Sequence, residues 1–384
     1  MGPRPVVVDI LSPWLAVGVT VVAIAVPVAL ALWAGMRGSH GWLRRVGRGV
    51  GVLLVVALCQ ALALSAVFFH VNDTYAFFTS WDELIGEAPA APTHDLVAIH
   101  QEKVRKIPIT SSNPHPDGLM AGIRMPGTDR SRSHVPVWLP PQYFERSQSR
   151  TRFPVLYWIG GVNDTGDHDN IAVPITGPSL NLIKKGKVNP YVIVFLPGEI
   201  RAGQDTECTN VDGIDHQSWI LDTVIPKVEK HYRVGRTRDS RFIAGWSTGG
   251  YCAANFATRY AARFKAGFGL APYFHPTYSE PLLAKVPRST ILENSPLHWV
   301  KERKVPADTR FLSVMSKLDR SSWGDVSDPP MQNGQIMADG QDFWNRAHTM
   351  KQYSFIVLPS GGHHPGTYIP YIPQCLRWLG QYGL

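Results

Sequence analysis

Residues 241–250 read RFIAGWSTGG, and this run decides how the chain is built. Arg241–Trp246 is a short, mostly apolar stretch with strand character. Gly245-Trp246-Ser247-Thr248-Gly249 then matches the pattern G-x-S-x-G, and a helical pattern opens at Thr248. A strand that turns sharply into a helix at a serine exposes that serine in a strained conformation at the tip of the turn. Small residues on either side, here Gly245 and Gly249, let neighbouring backbones come close enough for the turn to form. The five-residue pattern alone is weak in a chain with 34 Gly. The strand before it and the helix after it make it specific.

The same alternation extends in both directions from Gly118 onward. Strand-like runs fall at Leu119–Arg124, His134–Leu139, Pro154–Ile159, Tyr191–Leu196, Arg241–Trp246, Ala266–Ala271, Phe311–Ser316 and Tyr353–Leu358. Helical patterns fall near His216–Tyr232, Thr248–Tyr260, Ala338–Met350 and Tyr371–Gln381, with a kink or a late start expected at Pro226. VLYWI at 155–159 and VIVFL at 192–196 are apolar on both faces, as strands covered by helices on both sides must be. The fold expected for residues 118–384 is therefore α/β: a mostly parallel, doubly wound sheet of about eight strands.

A serine hydroxyl is a poor nucleophile without a base and an orienting acid. After a strand-to-helix serine turn in such a sheet, the acid and the histidine follow in that order, each just past a late strand. The strand FLSVMS is followed at once by Lys317-Leu318-Asp319, and YSFIVLP by Ser360-Gly361-Gly362-His363-His364. Asp319 is the expected acid, with Asp325 and Asp328 as rivals deeper in the same loop. His363, first after the glycine pair, is the expected base, ahead of His364. The backbone N–H of Thr248 is one expected oxyanion donor, and the second lies within Gly160-Gly161-Val162.

The N-terminus is of a different kind. Trp14–Met36 and Gly49–Phe69 carry no charge, and each run is as long as the roughly 20 residues that cross a bilayer as helix. Two transmembrane helices, at about 14–36 and 49–70, are expected within a membrane anchor of residues 1–75. Arg37, Arg44, Arg45 and Arg48 lie between them without an acid, so the positive-inside rule puts that connection in the cytoplasm. The expected localisation is a multi-pass plasma-membrane protein whose remainder is extracytoplasmic. Residues 76–117, rich in aromatics and then in proline, read as a juxtamembrane segment and linker.

Composition narrows the function classes. With 44% hydrophobic and 18% charged residues the chain is neither disordered nor a coiled coil. The net charge of +8 is spread over both parts, which is weak support for nucleic-acid binding. No Walker or GxGxxG pattern points to a nucleotide cofactor, and no HExxH or CxxC to a metal. The acidic stretch Asn163–Asp169 lacks the spacing and terminal Glu of an EF-hand and reads as a loop near the site mouth. No cofactor and no metal are expected.

VPVWLPPQYFERSQSRTRFPVLYWIGGVND, at 135–164, resembles the opening of the esterase D-like α/β-hydrolases, which include secreted mycolyltransferases as well as esterases. IPKVEKHYRV, AGWSTGGYCA and LPSGGHHPGTYIPYIPQCLRWL continue the likeness in order, over roughly residues 118–384. The resemblance implies an α/β-hydrolase fold, with Ser247 as nucleophile, Asp319 as acid, His363 as base, and Val162 with Thr248 as backbone oxyanion donors. Gly160 stands where the family often has His or Asp. The acid is Asp here but Glu in the mycolyltransferases.

The expected activity is hydrolysis of a carboxylic ester through an acyl-enzyme, the partners being an acyl-ester small molecule, lipid or glycolipid and the bilayer. Transfer of the acyl group to an envelope sugar or lipid alcohol would use the same three residues. A non-catalytic binding domain on the same scaffold is the third reading. His275 and Ala271–Phe274, with the insertion up to Pro306, are expected to shape the pocket.

Four cysteines remain to be placed. Cys59 lies in the second apolar run, and Cys375 in the last helix, where a buried thiol packs as a small hydrophobe. Cys208 follows the strand VIVFLP, and Cys252 lies five residues past Ser247. Both elements emerge at one edge of the sheet, so a Cys208–Cys252 disulfide is expected.

Overall fold

The computed structural model describes residues 10, 12–35, 42–75, 77–85, 104, 107–125, 134–162, 174–201, 203–278, 282–323 and 339–384. They belong to two compact units. One comprises Met1–Pro89 with Gly361–His363, the other Ala90–Ser360 with His364–Leu384.

In the first unit, α1 (Pro13–Gly35) and α2 (Trp42–Tyr75) pack against each other, and α3 (Trp81–Leu84) follows. Among the described residues one helix is long and apolar enough to span a membrane, at Gly51–Asp73. The expectation of two such helices is corrected here. The helix α1 carries a shorter apolar stretch, Trp14–Leu30, among the described residues. Arg44, Arg45 and Arg48 lie inside α2 rather than in a loop, because the helix already starts at Trp42.

The aromatic segment after α2 is a built turn. Asn72 accepts the Phe78 N–H at 2.8 Å and donates from Nδ2 to the Phe78 carbonyl at 2.9 Å. Ser80 caps α3 by accepting the Glu83 N–H at 3.1 Å. Glu83 reaches back, its Oε2 accepting the Thr79 N–H at 2.7 Å and the Thr79 hydroxyl at 3.0 Å. This reciprocal arrangement satisfies donors that a helix start otherwise leaves unpaired.

The second unit is built on an eight-stranded sheet. Its strands are β1 (Leu119–Arg124), β2 (His134–Leu139), β3 (Val155–Ile159), β4 (Val192–Leu196), β7 (Arg241–Trp246), β8 (Ala266–Leu270), β9 (Phe311–Ser316) and β10 (Tyr353–Leu358). A small hairpin, β5 (Asn210–Val211) and β6 (Ile214–Asp215), stands apart. The sheet order is β1-β2-β4-β3-β7-β8-β9-β10. β2 runs antiparallel to β1 and β4, and all other neighbours are parallel. Every expected strand is present to within a residue, as the α/β reading required.

Alternate residues of the central strands feed opposite cores. Val155, Tyr157 and Ile159 of β3 join one apolar cluster, Leu156 and Trp158 the other. The helices that cover them include α4 (Thr176–Lys184), α5 (Ile225–His231), α6 (Thr248–Arg259), α7 (Pro296–Lys301), α8 (Gly340–Ala347), α9 (Pro365–Tyr368) and α10 (Ile372–Gly380). The helix α5 starts late, at Ile225 with Pro226 in its first turn, and a six-residue π-helical stretch, Trp219–Val224, precedes it. Proline lacks the N–H that would bind the carbonyl of residue 222, and its ring clashes there, so the helix widens upstream.

The segment assigned to a linker is partly anchored. Glu145 accepts the Thr110 N–H at 3.0 Å, the Thr110 hydroxyl at 2.9 Å and the side-chain amide of Asn113. Donation by Asn113 and then Thr110 holds the Glu145 carboxyl below its ordinary range.

A buried carboxyl between α7 and α8 gives a pH test. Asp339 Oδ1 accepts the Phe274 N–H at 2.8 Å, and burial pushes the group up to about 7. Because this pKa is raised on folding, the stability Asp339 contributes is greatest below its unfolded value near 3.8 and declines as pH rises to about 7. Asp339→Asn keeps the Oδ1 acceptor and removes the titration. Its melting temperature relative to wild type should therefore rise between pH 5 and pH 8, a trend that thermal melts at several pH values check.

Candidate active site

Ser247 sits between β7 and α6 with φ 55° and ψ −120°. Positive φ is rare for a residue with a Cβ, and it persists only where the surroundings hold it. Here the Ser247 N–H donates to the Leu270 carbonyl at 2.9 Å, and its carbonyl accepts the Tyr251 N–H at 3.0 Å. The flanking glycines are needed sterically. A Cβ on Gly245 would lie 2.3 Å from the Gly249 carbonyl oxygen, and one on Gly249 would lie 2.1 Å from that of Ile159. No side chain fits either gap, because the obstacles are backbone.

The loop after β3 lies beside this turn. A Cβ on Gly161 would come within 3.6 Å of Ser247 Cβ. The Gly160 N–H already donates to the Leu196 carbonyl at 3.1 Å, which leaves Gly161 and Val162 as the candidates for a second oxyanion donor from this loop. Val162 is half exposed. The acidic stretch Asn163–Asp169 lies outside the described residues.

Asp319 is fully buried in the turn that leaves β9. Its Oδ1 accepts the Ser322 N–H at 3.1 Å, and its Oδ2 accepts the hydroxyl of Tyr368 from α9. Tyr368 is itself buried and packs against Trp246, the residue before Ser247, with ring centroids 5.3 Å apart. The rival acids Asp325 and Asp328 lie outside the described residues.

The two histidines differ in employment. His364 caps α9, its Nδ1 accepting the Gly366 N–H at 3.1 Å. His363 belongs to the first unit, where its ring lies 6.5 Å, centroid to centroid, from that of Phe77.

A second acidic group adjoins α6. Thr248, the residue after Ser247, donates its hydroxyl to Asp205 Oδ2 at 3.1 Å, while Asp205 Oδ1 accepts the Glu207 N–H at 2.8 Å. Glu207 accepts from the Tyr273 hydroxyl at 2.6 Å, the Thr277 hydroxyl at 2.8 Å and the Thr277 N–H at 2.9 Å. Burial raises both carboxyls, and the neighbouring Glu207 raises Asp205 further. Next to Glu207, Cys208 and Cys252 form a disulfide with Cα atoms 5.8 Å apart, fastening this loop to α6. Cys59 and Cys375 are free thiols.

Ala271–Pro306 is tied down from the same helix. Tyr251 stacks on Tyr273 at 4.7 Å and donates to the Asn294 carbonyl at 2.7 Å. His275 Nδ1 lies 2.9 Å from Ser295 Oγ. Burial, then the charges of Lys301 and His298, hold His275 below the ordinary histidine range. Among the described residues no group of three or more His, Cys, Asp or Glu could hold a metal ion.

Sequence reasoning missed Tyr368, Asp205 and Glu207. Asp205 and Glu207 stand beside Cys208 in the sequence, which is the one signal that they lie near α6. Tyr368 stands in an aromatic and proline-rich run with no period to mark it.

The family described as "Putative esterase" matches residues 128–365, more than half of the chain. A ferulic acid esterase superposes with a TM-score of 0.53 at 19% identity, over 69% of this chain and 98% of its own. An S-formylglutathione hydrolase from Agrobacterium tumefaciens gives 0.52 at 15% identity, over 72% and 100%. The fluorophosphonate-binding serine hydrolase F of Staphylococcus aureus gives 0.51 at 17%, over 68% and 98%. At these identities the likeness is one of fold, and the shared fold is that of the α/β-hydrolases.

Tyr368→Phe removes one hydroxyl donor from a buried carboxylate. A charge-assisted hydrogen bond of this kind is worth about 1.5–3 kcal/mol, so kcat on a soluble ester should fall about 10- to 100-fold. Steady-state kinetics beside a thermal melt check this.

Proposed function

We propose that this chain, which belongs to the "Putative esterase" family and is a carboxylic-ester hydrolase, works through an acyl-enzyme on Ser247. The observation that carries the reading is the conformation of Ser247, held at φ 55° between β7 and α6. His363 takes the serine proton as Ser247 Oγ attacks the ester carbonyl, and returns it to the departing alcohol. Asp319 orients the imidazole and stabilises it when charged. The tetrahedral oxyanion is held by the N–H of Thr248 and by that of Val162 in the loop after β3. Water then releases the acid by the same steps.

Three features support these roles. Asp319 follows β9 at once, with its carboxylate fixed by Ser322 and Tyr368. The Nδ1 of His364 is committed to the Gly366 N–H, which favours His363 as the base. Gly161 lies against Ser247, and Val162 is the next residue of that loop.

The reading extends to location. Gly51–Asp73 crosses the membrane once, with Arg44, Arg45 and Arg48 on its cytoplasmic side and the catalytic part outside. The Cys208–Cys252 disulfide suits an oxidising compartment.

Ser247→Ala should lower turnover of a soluble acyl ester by about 10⁴-fold or more and abolish labelling by a fluorophosphonate. His363→Ala should match that loss, and His364→Ala should not. Products analysed with and without added sugar or lipid alcohols separate hydrolysis from acyl transfer; released free acid at an unchanged rate is the expected outcome.

Topology is tested separately. Protease added to intact cells should digest the chain beyond residue 76, and a reporter fused before Trp42 should behave as cytoplasmic. Full protection of the catalytic part would contradict the arginine argument.

A further inference from the structure

The proposed base is carried by Ser360-Gly361-Gly362-His363, a stretch poor in means of holding itself still. Gly361 has φ 103°, open to glycine and closed to most other residues. Two consecutive glycines bring no side chain to pack, and they lose more backbone freedom on ordering than any other pair. Something outside the loop must supply the order.

That support comes from the segment directly after α2. Glu83 is only 9% exposed. Its Oε1 accepts the Gly362 N–H at 3.1 Å, across 279 residues of sequence. Its Oε2 is held by the N–H and hydroxyl of Thr79, and its own N–H by Ser80. Both carboxylate oxygens are thus fixed by donors, so Oε1 is a rigid acceptor and not the mobile end of a surface side chain. The Phe77 ring lies 6.5 Å from that of His363, and the neighbouring Phe78 backbone is locked on both sides by Asn72. The family match begins at residue 128, so this brace is an addition to the part that the family shares.

We infer that Glu83 is a positioning residue for catalysis: by accepting the Gly362 N–H it fixes the backbone from which His363 reaches the reacting serine. The inference rests on the reading of His363 as the base. It makes the segment after α2 part of the catalytic apparatus, where a plain tether would leave turnover indifferent to its sequence.

The test compares Glu83→Ala, Glu83→Gln and Glu83→Asp in the full-length chain, in detergent, by kcat and KM on a soluble short-chain ester and by thermal melts. His363→Ala is run beside them. Misplacing a catalytic group by about 1 Å costs on the order of 100-fold, so Glu83→Ala should lower kcat about 10- to 100-fold with KM changed less than about twofold. Glu83→Gln keeps the length and one oxygen acceptor for the Gly362 N–H, while its amide nitrogen loses the bond to the Thr79 N–H, so it should retain more of kcat than Glu83→Asp. Glu83→Asp keeps the charge but is one methylene short and should resemble Ala. A merely structural role predicts losses that follow the melting temperature in all three variants. Wild-type kcat in Glu83→Ala, or Gln no better than Asp, overturns the inference. If Glu83→Ala fails to fold, the Gln–Asp comparison decides. Loss of activity in His363→Ala with wild-type turnover in Glu83→Ala removes the positioning role and leaves the base intact, whereas an active His363→Ala enzyme removes the base itself and the inference with it.

Discussion

The approach of three backbones at one point governs this molecule. The end of β3, the end of β7 and the first turn of α6 meet where Gly245 and Gly249 face the Ile159 carbonyl, leaving no room for a Cβ on either glycine. That contact forces the turn to be abrupt, and the abruptness puts Ser247 at positive φ with its backbone bonded on both sides. β3 is hydrogen-bonded to β4 on one edge and β7 on the other, so the turn rests on the middle of the sheet. Strain is tolerable there because two fully buried apolar layers hold the strands in register.

Away from that point the loops are organised by carboxylates. Asp319 fixes the turn after β9, Glu207 holds Tyr273 and Thr277, Glu145 gathers Thr110 and Asn113, and Glu83 takes the Gly362 N–H. Each accepts from N–H or O–H donors, the form of hydrogen bond that gains most from an ionised partner. The arrangement has a physical logic. A loop too short or too glycine-rich to bury apolar surface can still be fixed in place by an acceptor that takes several of its donors at once. The cost is desolvation, which shows in the raised pKa of Asp205 and Glu207, where two such carboxyls stand side by side.

This division explains what could be read in advance. The strands were legible because their signal is local: VLYWI and VIVFL are apolar on both faces, and turns bound them. The late start of the helix at Pro226 was legible for the same reason, although proline alone does not announce the π-helical stretch before it. The disulfide partners could be paired because Cys208 and Cys252 each follow a strand end at one sheet edge. Tyr368 and Glu83 gave no such signal. Each meets a partner across 49 and 279 residues of sequence, and neither pattern nor propensity encodes a partner at that distance.

The adjacent histidines show how local structure separates residues that sequence leaves nearly equal. His364 is followed by proline, which starts a helix readily but has no N–H to offer, so the first donor for a cap is that of Gly366. Taking that bond commits His364 Nδ1 and fixes its ring at the start of α9. α9 in turn carries Tyr368 to Asp319. One histidine therefore helps to hold the helix whose Tyr368 binds Asp319, while its neighbour ends a glycine loop whose backbone is bonded to Glu83. The two positions differ by one residue in sequence and by the whole of their employment in the fold.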